Sequence, residues 1–158
     1  MADRPEPFPG GRGEEQGGRI DCVYLTCFPA DFSFLASILY FSRIRLHRAE
    51  TLEAADFLLT VSGATVLLTE TTYLDGSWRN ALEMLADAHP CVGALVAAEP
   101  VDLPYVHDAA GRGACGVLWK PLPDDRTVAL IRTAHEASRN RVQLVDRSDA
   151  LSFRNRDR

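Results

Sequence analysis

The sequence predicts an α/β protein, a parallel β-sheet layered between helices, and three observations carry that prediction. Short apolar runs rich in β-branched residues alternate five times with helical periodicity, at connections of ordinary length. The run Ala64 to Thr69 (ATVLLT) is nearly unbroken in its apolar and β-branched character, as a central parallel strand covered on both faces must be. That run stops at an acid, Glu70, at the carboxyl end of the strand, where open α/β sheets place their ligands and their chemistry.

Residues 1–18 contain three Pro and five Gly with almost nothing to bury, the composition of a disordered leader, so the fold should begin near Arg19. Ile20 to Thr26 reads as the first strand, bounded by Gly17-Gly18 before and Cys27-Phe28-Pro29 after. Phe32, Leu35, Ala36 and Leu39 fall at i, i+3, i+4 and i+7, one apolar helix face that should close near Ser42. Ile44 to Ala49 alternates, with Ile44 and Leu46 opposite Arg45 and His47, as an exposed second strand would. Thr51 can cap the next helix, whose stripe is Leu52, Ala55, Leu58 and Leu59, and Ser62-Gly63 ends it.

After the third strand comes the turn signal Asp75-Gly76, then a helix from Trp78 to Ala88 stopped by His89-Pro90. Val92 to Ala97 is the fourth strand. Asp102 to Ala110, with Pro104 in its first turn and Gly111-Arg112-Gly113 behind it, is the fourth helix. Cys115 to Trp119 is the fifth strand and leads into Lys120-Pro121. Asp124 or Asp125 opens a long final helix with Leu130, Ile131, Ala134 and Ala137 on one face, and residues 144–158 read as a polar, solvated tail. These units imply right-handed βαβ crossovers and a three-layer sandwich in one domain, residues 19–143, though periodicity does not order the strands.

Composition narrows the function. The 158 residues, 46% hydrophobic and 25% charged, suit a single core with tails. A formal charge of -5 gives no general pull toward nucleic acid or anionic membrane. No apolar run reaches membrane-spanning length and no signal-peptide core precedes the fold, so a cytoplasmic protein is expected. Cys22, Cys27, Cys91 and Cys115 form no C-x-x-C pair and His47, His89, His107 and His135 show no ligand spacing, which argues against disulfides and metal. No G-x-G-x-x-G, P-loop or G-x-S-x-G is present, so no cofactor is expected.

Five strands, an acid ending the third, a D-G turn five residues beyond it, and V-L-L-T-E followed later by G-V-L-W-K-P together make a pattern. It resembles the receiver domain of two-component response regulators, from Arg19 to about Arg139. The resemblance implies a flavodoxin-like fold with strand order 2-1-3-4-5 and the cleft at the carboxyl edge. In that family an aspartate ending the third strand accepts a phosphoryl group beside Mg²⁺. Two acids ending the first strand hold the metal; a small hydroxyl residue, an aromatic switch and a lysine complete the set.

Carried onto this chain, the acceptor position is Glu70, with Thr69 in a neighbouring register. Thr26 and Cys27 replace the metal-binding acids, Ala97 the hydroxyl residue and Val117 the aromatic switch; Lys120 and Pro121 stand as the family has them, with a cis bond implied between them. The expectation is therefore a degenerate receiver, neither enzyme nor Mg²⁺ site. It would act by binding a signalling kinase, an output protein or itself, through the last helix, fourth helix and fifth strand. Glu70 would pair with Lys120 and imitate a phosphoaspartate. Any DNA-binding output would come from another chain. The competing expectation is a residual phosphoacceptor or a small catalytic or redox domain using Glu70 or Cys27.

Overall fold

The computed structural model describes residues 18–154, the last eight of these in backbone only. The expected leader lies outside that range, apart from Gly18. Strands β1 (Ile20–Leu25), β2 (Ile44–Ala49), β3 (Val66–Glu70), β6 (Gly93–Ala98) and β7 (Ala114–Trp119) form one parallel sheet in the order β2-β1-β3-β6-β7. Counting only these five in chain order, this is the 2-1-3-4-5 arrangement, the flavodoxin-like order that the resemblance implied.

Alternation along each strand divides the core into two halves, because successive side chains leave opposite faces of the sheet. Val23, Leu25, Leu67 and Val96 pack on one face against α2 (Leu52–Ser62) and α3 (Trp78–Ala88), through Ala55, Leu59, Trp78 and Leu82. Cys22, Tyr24, Val66, Leu68, Leu95 and Leu118 pack on the other against α1 (Pro29–Leu39) and α5 (Asp124–Arg154), through Leu35, Leu39, Ile131 and Ala134. On α5 the buried seam is Thr127, Ile131, Ala134 and Ser138, with Leu130 and Ala137 half-buried beside it.

Local chemistry sets the ends of these elements. Thr51 Oγ1 accepts the Ala54 amide at 3.1 Å to cap α2, and Gly63 closes that helix at φ 67, the left-handed position glycine takes without penalty. Ser77 and Asn80 cap α3 reciprocally. Gly93 is required for packing: an added Cβ there would stand 2.4 Å from the Ala134 carbonyl oxygen of α5.

Three expectations are corrected, and the expected turn at Asp75-Gly76 is found. Helix α1 ends at Leu39, not near Ser42, because Ser42 turns its hydroxyl and its amide back onto the Leu39 carbonyl; Arg43 follows at φ 59, left-handed for a non-glycine. The fourth helix is broken into a 3₁₀ turn (Pro100–Asp102), one helical turn α4 (Leu103–Val106) and another 3₁₀ turn (Ala110–Arg112), as Asp102 bonds back to the Glu99 amide at 3.0 Å. The Asp75-Gly76 turn closes a small hairpin, β4 (Thr72–Tyr73) against β5 (Gly76–Ser77). The last helix continues through the expected tail to Arg154, since residues 144–154 contain neither Gly nor Pro to stop it. Among the described residues no helix is long and apolar enough to cross a membrane.

Candidate functional site

The parallel register brings the carboxyl ends of β1, β3, β6 and β7 to one edge. Glu70, the last residue of β3, pairs across the ladder with Ala97 of β6, and Ala97 pairs with Leu118 of β7. Glu70 shares the sheet face of Val66 and Leu68, so its side chain lies on the α1/α5 side and is 3% exposed. The connection after β7 brings Lys120 to the same place: its amide bonds the Ala98 carbonyl at 2.8 Å, and the Lys120–Pro121 bond is cis, as the resemblance implied.

Three groups meet the buried carboxylate or its partner. Lys120 Nζ donates to Glu70 Oε2 at 2.6 Å and to Asp31 Oδ2, in the first turn of α1, at 3.0 Å. The Tyr24 hydroxyl, wholly buried on β1, donates to Glu70 Oε1. Lys120 also lies 5.6 Å from the centroid of the Phe28 ring, within cation–π range. The ammonium thus bridges two carboxylates, one buried and one at the rim.

These contacts set the titration of the cluster. Burial pushes the Glu70 carboxyl up from its ordinary value, against the opposing pull of the Lys120 and Tyr24 hydrogen bonds. Burial and the adjacent Glu70 charge push the Tyr24 phenol far up, so Tyr24 is a donor at every ordinary pH. For Lys120 burial would lower the value, but bonding and attraction to Glu70, then to Asp31, outweigh it and hold the ammonium charged.

The remaining expected residues lie at the same edge without joining the cluster. Thr26 is fully buried and its Oγ1 accepts the Phe28 amide at 3.1 Å; Cys27 is half-buried and a free thiol. Ala97 is buried, and Val117 is half-buried, on β7 beside Val96. Thr69 faces the opposite half of the sheet from Glu70, its hydroxyl bonded to the Glu70 carbonyl. Asp75 accepts the Leu52 amide at 3.0 Å, a second cap on α2. The four histidines have local partners: Asp21 for His47, Asp56 for His89, the Pro104 carbonyl for His107 and Thr65 for His135.

Two members of the cluster were not singled out in the sequence as partners of Glu70. Tyr24 lies in the run of the first strand and reads as core; the available signal was a phenol on the sheet face of Cys22, next to the strand that ends in Glu70. Buried tyrosine hydroxyls require a partner. Asp31 was visible only as the nearest acid beyond the first strand.

No family model matches this sequence, and no curated protein matches it. Solved structures do. A response regulator receiver domain protein from Clostridium thermocellum aligns at 16% identity over 80% of this chain and 98% of its own, with a TM-score of 0.68. The signal receiver domain of an HD domain-containing protein from Pseudomonas fluorescens aligns at 17% identity over 79% and 93%, at 0.72. An adenylate cyclase from Rhodopirellula baltica aligns at 15% identity over 86% and 98%, at 0.70. What these likenesses establish together with the strand order is architecture: the chain has the fold of response regulator receiver domains.

Proposed function

We propose that this chain is an atypical receiver that acts in cytoplasmic signal transduction by binding other proteins, without being phosphorylated and without catalysing a reaction. The observation that carries the reading is the Lys120 ammonium held between Glu70 and Asp31, at the place where a receiver would hold its phosphoryl group. An acid already occupies the lysine that would neutralise an incoming phosphoryl oxygen.

The donor chemistry at this edge supports the same reading. Mg²⁺ selects carboxylate and water oxygens. At the end of β1 the chain offers Thr26, whose oxygen takes the Phe28 amide, and the Cys27 thiol. Asp31 and Glu70 are arranged around an ammonium, not around a vacant cation position. These side chains do not fit a magnesium site. Ala97 and Val117 supply neither the hydroxyl nor the ring through which a receiver reads its own phosphorylation. Glu70 then imitates the modified state permanently, and docking falls to α5, α4 and β7, where Val101, Leu103 and Tyr105 are exposed.

Incubation with Mg²⁺ and acetyl phosphate, or with beryllofluoride, tests the proposal by intact mass and by amide chemical shifts. No mass gain and no saturable shift at residues 69–72 are expected. Phosphorylation, or a saturable shift there, would establish instead a working acceptor at Glu70 or beside it.

A further inference from the structure

We propose that the chain carries a second site, at the amino edge of the sheet, that binds a phosphate-bearing anion through Arg43, Arg132 and Arg139. The site is a cleft of about 380 Å³ between the turn preceding β2 and the middle of α5, lined also by Gly18 and Ile20. It lies at the opposite end of the strands from Glu70 and Lys120 and is independent of the reading given for them.

Three observations point to an anion. First, the cleft collects three guanidinium groups from two elements far apart in sequence, in a chain whose formal charge is -5. Second, among the described residues none of the three makes an ion pair, although all three line one cleft. Glu136, on the same wall, bridges none of them. Arg132 is steadied at the rim by a 3.4 Å bond to the Ser42 carbonyl. Third, Arg43 holds a left-handed backbone at φ 59, a conformation that costs most side chains free energy and glycine none, so a cation stands where the backbone would favour glycine.

The ligand class follows from these donors. Guanidinium forks match the paired oxygens of phosphate and hold their charge at all accessible pH. His135 adds a neutral wall: its Nδ1 lies 2.7 Å from Thr65 Oγ1, and burial and the neighbouring Arg139 charge lower its pKa. A cleft of this size takes a diphosphate or a phosphorylated headgroup.

Titration of the full chain with inorganic pyrophosphate at constant ionic strength, followed by calorimetry and amide shifts, tests the site. One saturable event is expected, with shifts confined to residues 42–44 and 132–139 and none around Lys120. Arg132→Gln with Arg139→Gln should weaken it by about tenfold or more, and Arg43→Gly, which suits the backbone and keeps the fold, should weaken it by about threefold or more.

Vesicles with and without a phosphoinositide distinguish the source. Retention relieved by pyrophosphate identifies a lipid headgroup, and pyrophosphate binding without retention identifies a soluble phosphate compound. Absence of saturation, an affinity indifferent to the arginine variants, or vesicle retention that pyrophosphate does not relieve would overturn the proposal. Glu14 and Glu15 precede Gly18 closely in sequence, so Glu14→Gln with Glu15→Gln is the remaining control. An unchanged or tighter affinity supports the site, since removing two acids takes nothing from the arginines, and a loss of about tenfold would overturn it.

Discussion

The carboxylate of Glu70 is nearly inaccessible, so each of its contacts replaces hydration that it has lost. Removing the Tyr24 hydroxyl leaves Oε1 without that donor inside the sheet. Tyr24→Phe should cost about 2 kcal/mol in urea unfolding, the range for a bond to a charged acceptor, and a loss below about 0.5 kcal/mol would show that Glu70 does not depend on it. The pH dependence has a definite sign. Burial raises the folded-state value of Glu70 above its ordinary 4.5, so above that pH the unfolded chain has released a proton that the folded chain still holds. Its contribution is complete below 4.5 and is lost as pH rises through the folded-state value. The stability of the wild type relative to Glu70→Gln should therefore fall as pH rises above 4.5, until the folded-state carboxyl has ionised, and a constant difference would contradict the assigned burial. The Glu70–Lys120 pairing was legible in the sequence because Glu70 ends one strand and Lys120 directly follows another at the same edge. Tyr24 was not, because one strand's periodicity does not say what its neighbour presents.

At the scale of elements, strand positions follow the sequence most closely, since burial on two faces enforces an apolar run whatever the surroundings. β2 spans Ile44–Ala49 and α3 spans Trp78–Ala88, as patterning and turn residues predict. The fourth helix fails that test: Pro100–Val106 bears Val101, Leu103 and Tyr105 outward and buries only Val106, leaving no apolar stripe to hold a longer helix. The hairpin after β3 and the Asp75 cap on α2 depend on contacts between segments, which no local pattern encodes. Gly93 is the most exacting of these contacts. At the start of β6 it lets the α5 backbone approach so closely that a methyl group meets the Ala134 carbonyl. Gly93→Ala should force α5 off the sheet and cost about 2 to 3 kcal/mol, visible as a lower urea midpoint with an unchanged slope. An unaltered midpoint would mean that α5 moves aside freely.

For the whole molecule, the proposed function raises the question whether this fold can be given a phosphorylation chemistry by substitution, and whether its far side would respond. On the proposed reading, the edge presents Lys120 beside an acid at the end of β3, and a metal-dependent phosphorylation would need further oxygen ligands there. Glu70→Asp alone shortens the acid but supplies no metal site, and it should accept no phosphoryl group. Adding Thr26→Asp and Cys27→Asp brings two further carboxylates to the two, at positions 31 and 70, already beside Lys120, and replaces the buried Thr26, so this triple variant should be less stable than the wild type without metal. Mg²⁺ binds only its folded state and should raise its melting temperature in proportion to the logarithm of metal concentration, an effect the wild type should not show. With acetyl phosphate the triple variant should gain one phosphoryl mass. If Ala97 and Val117 stand at the switch positions, as the proposed function has it, its amide shifts should stay local to β3 and the ends of β1, since neither side chain offers a hydroxyl or a ring to carry the change toward α4 and α5. Shifts spreading to residues 101–119 would show that the fold retains a switch independent of those two positions. A triple variant that melts at the same temperature with and without Mg²⁺ would show that more than ligand identity separates this edge from a metal site.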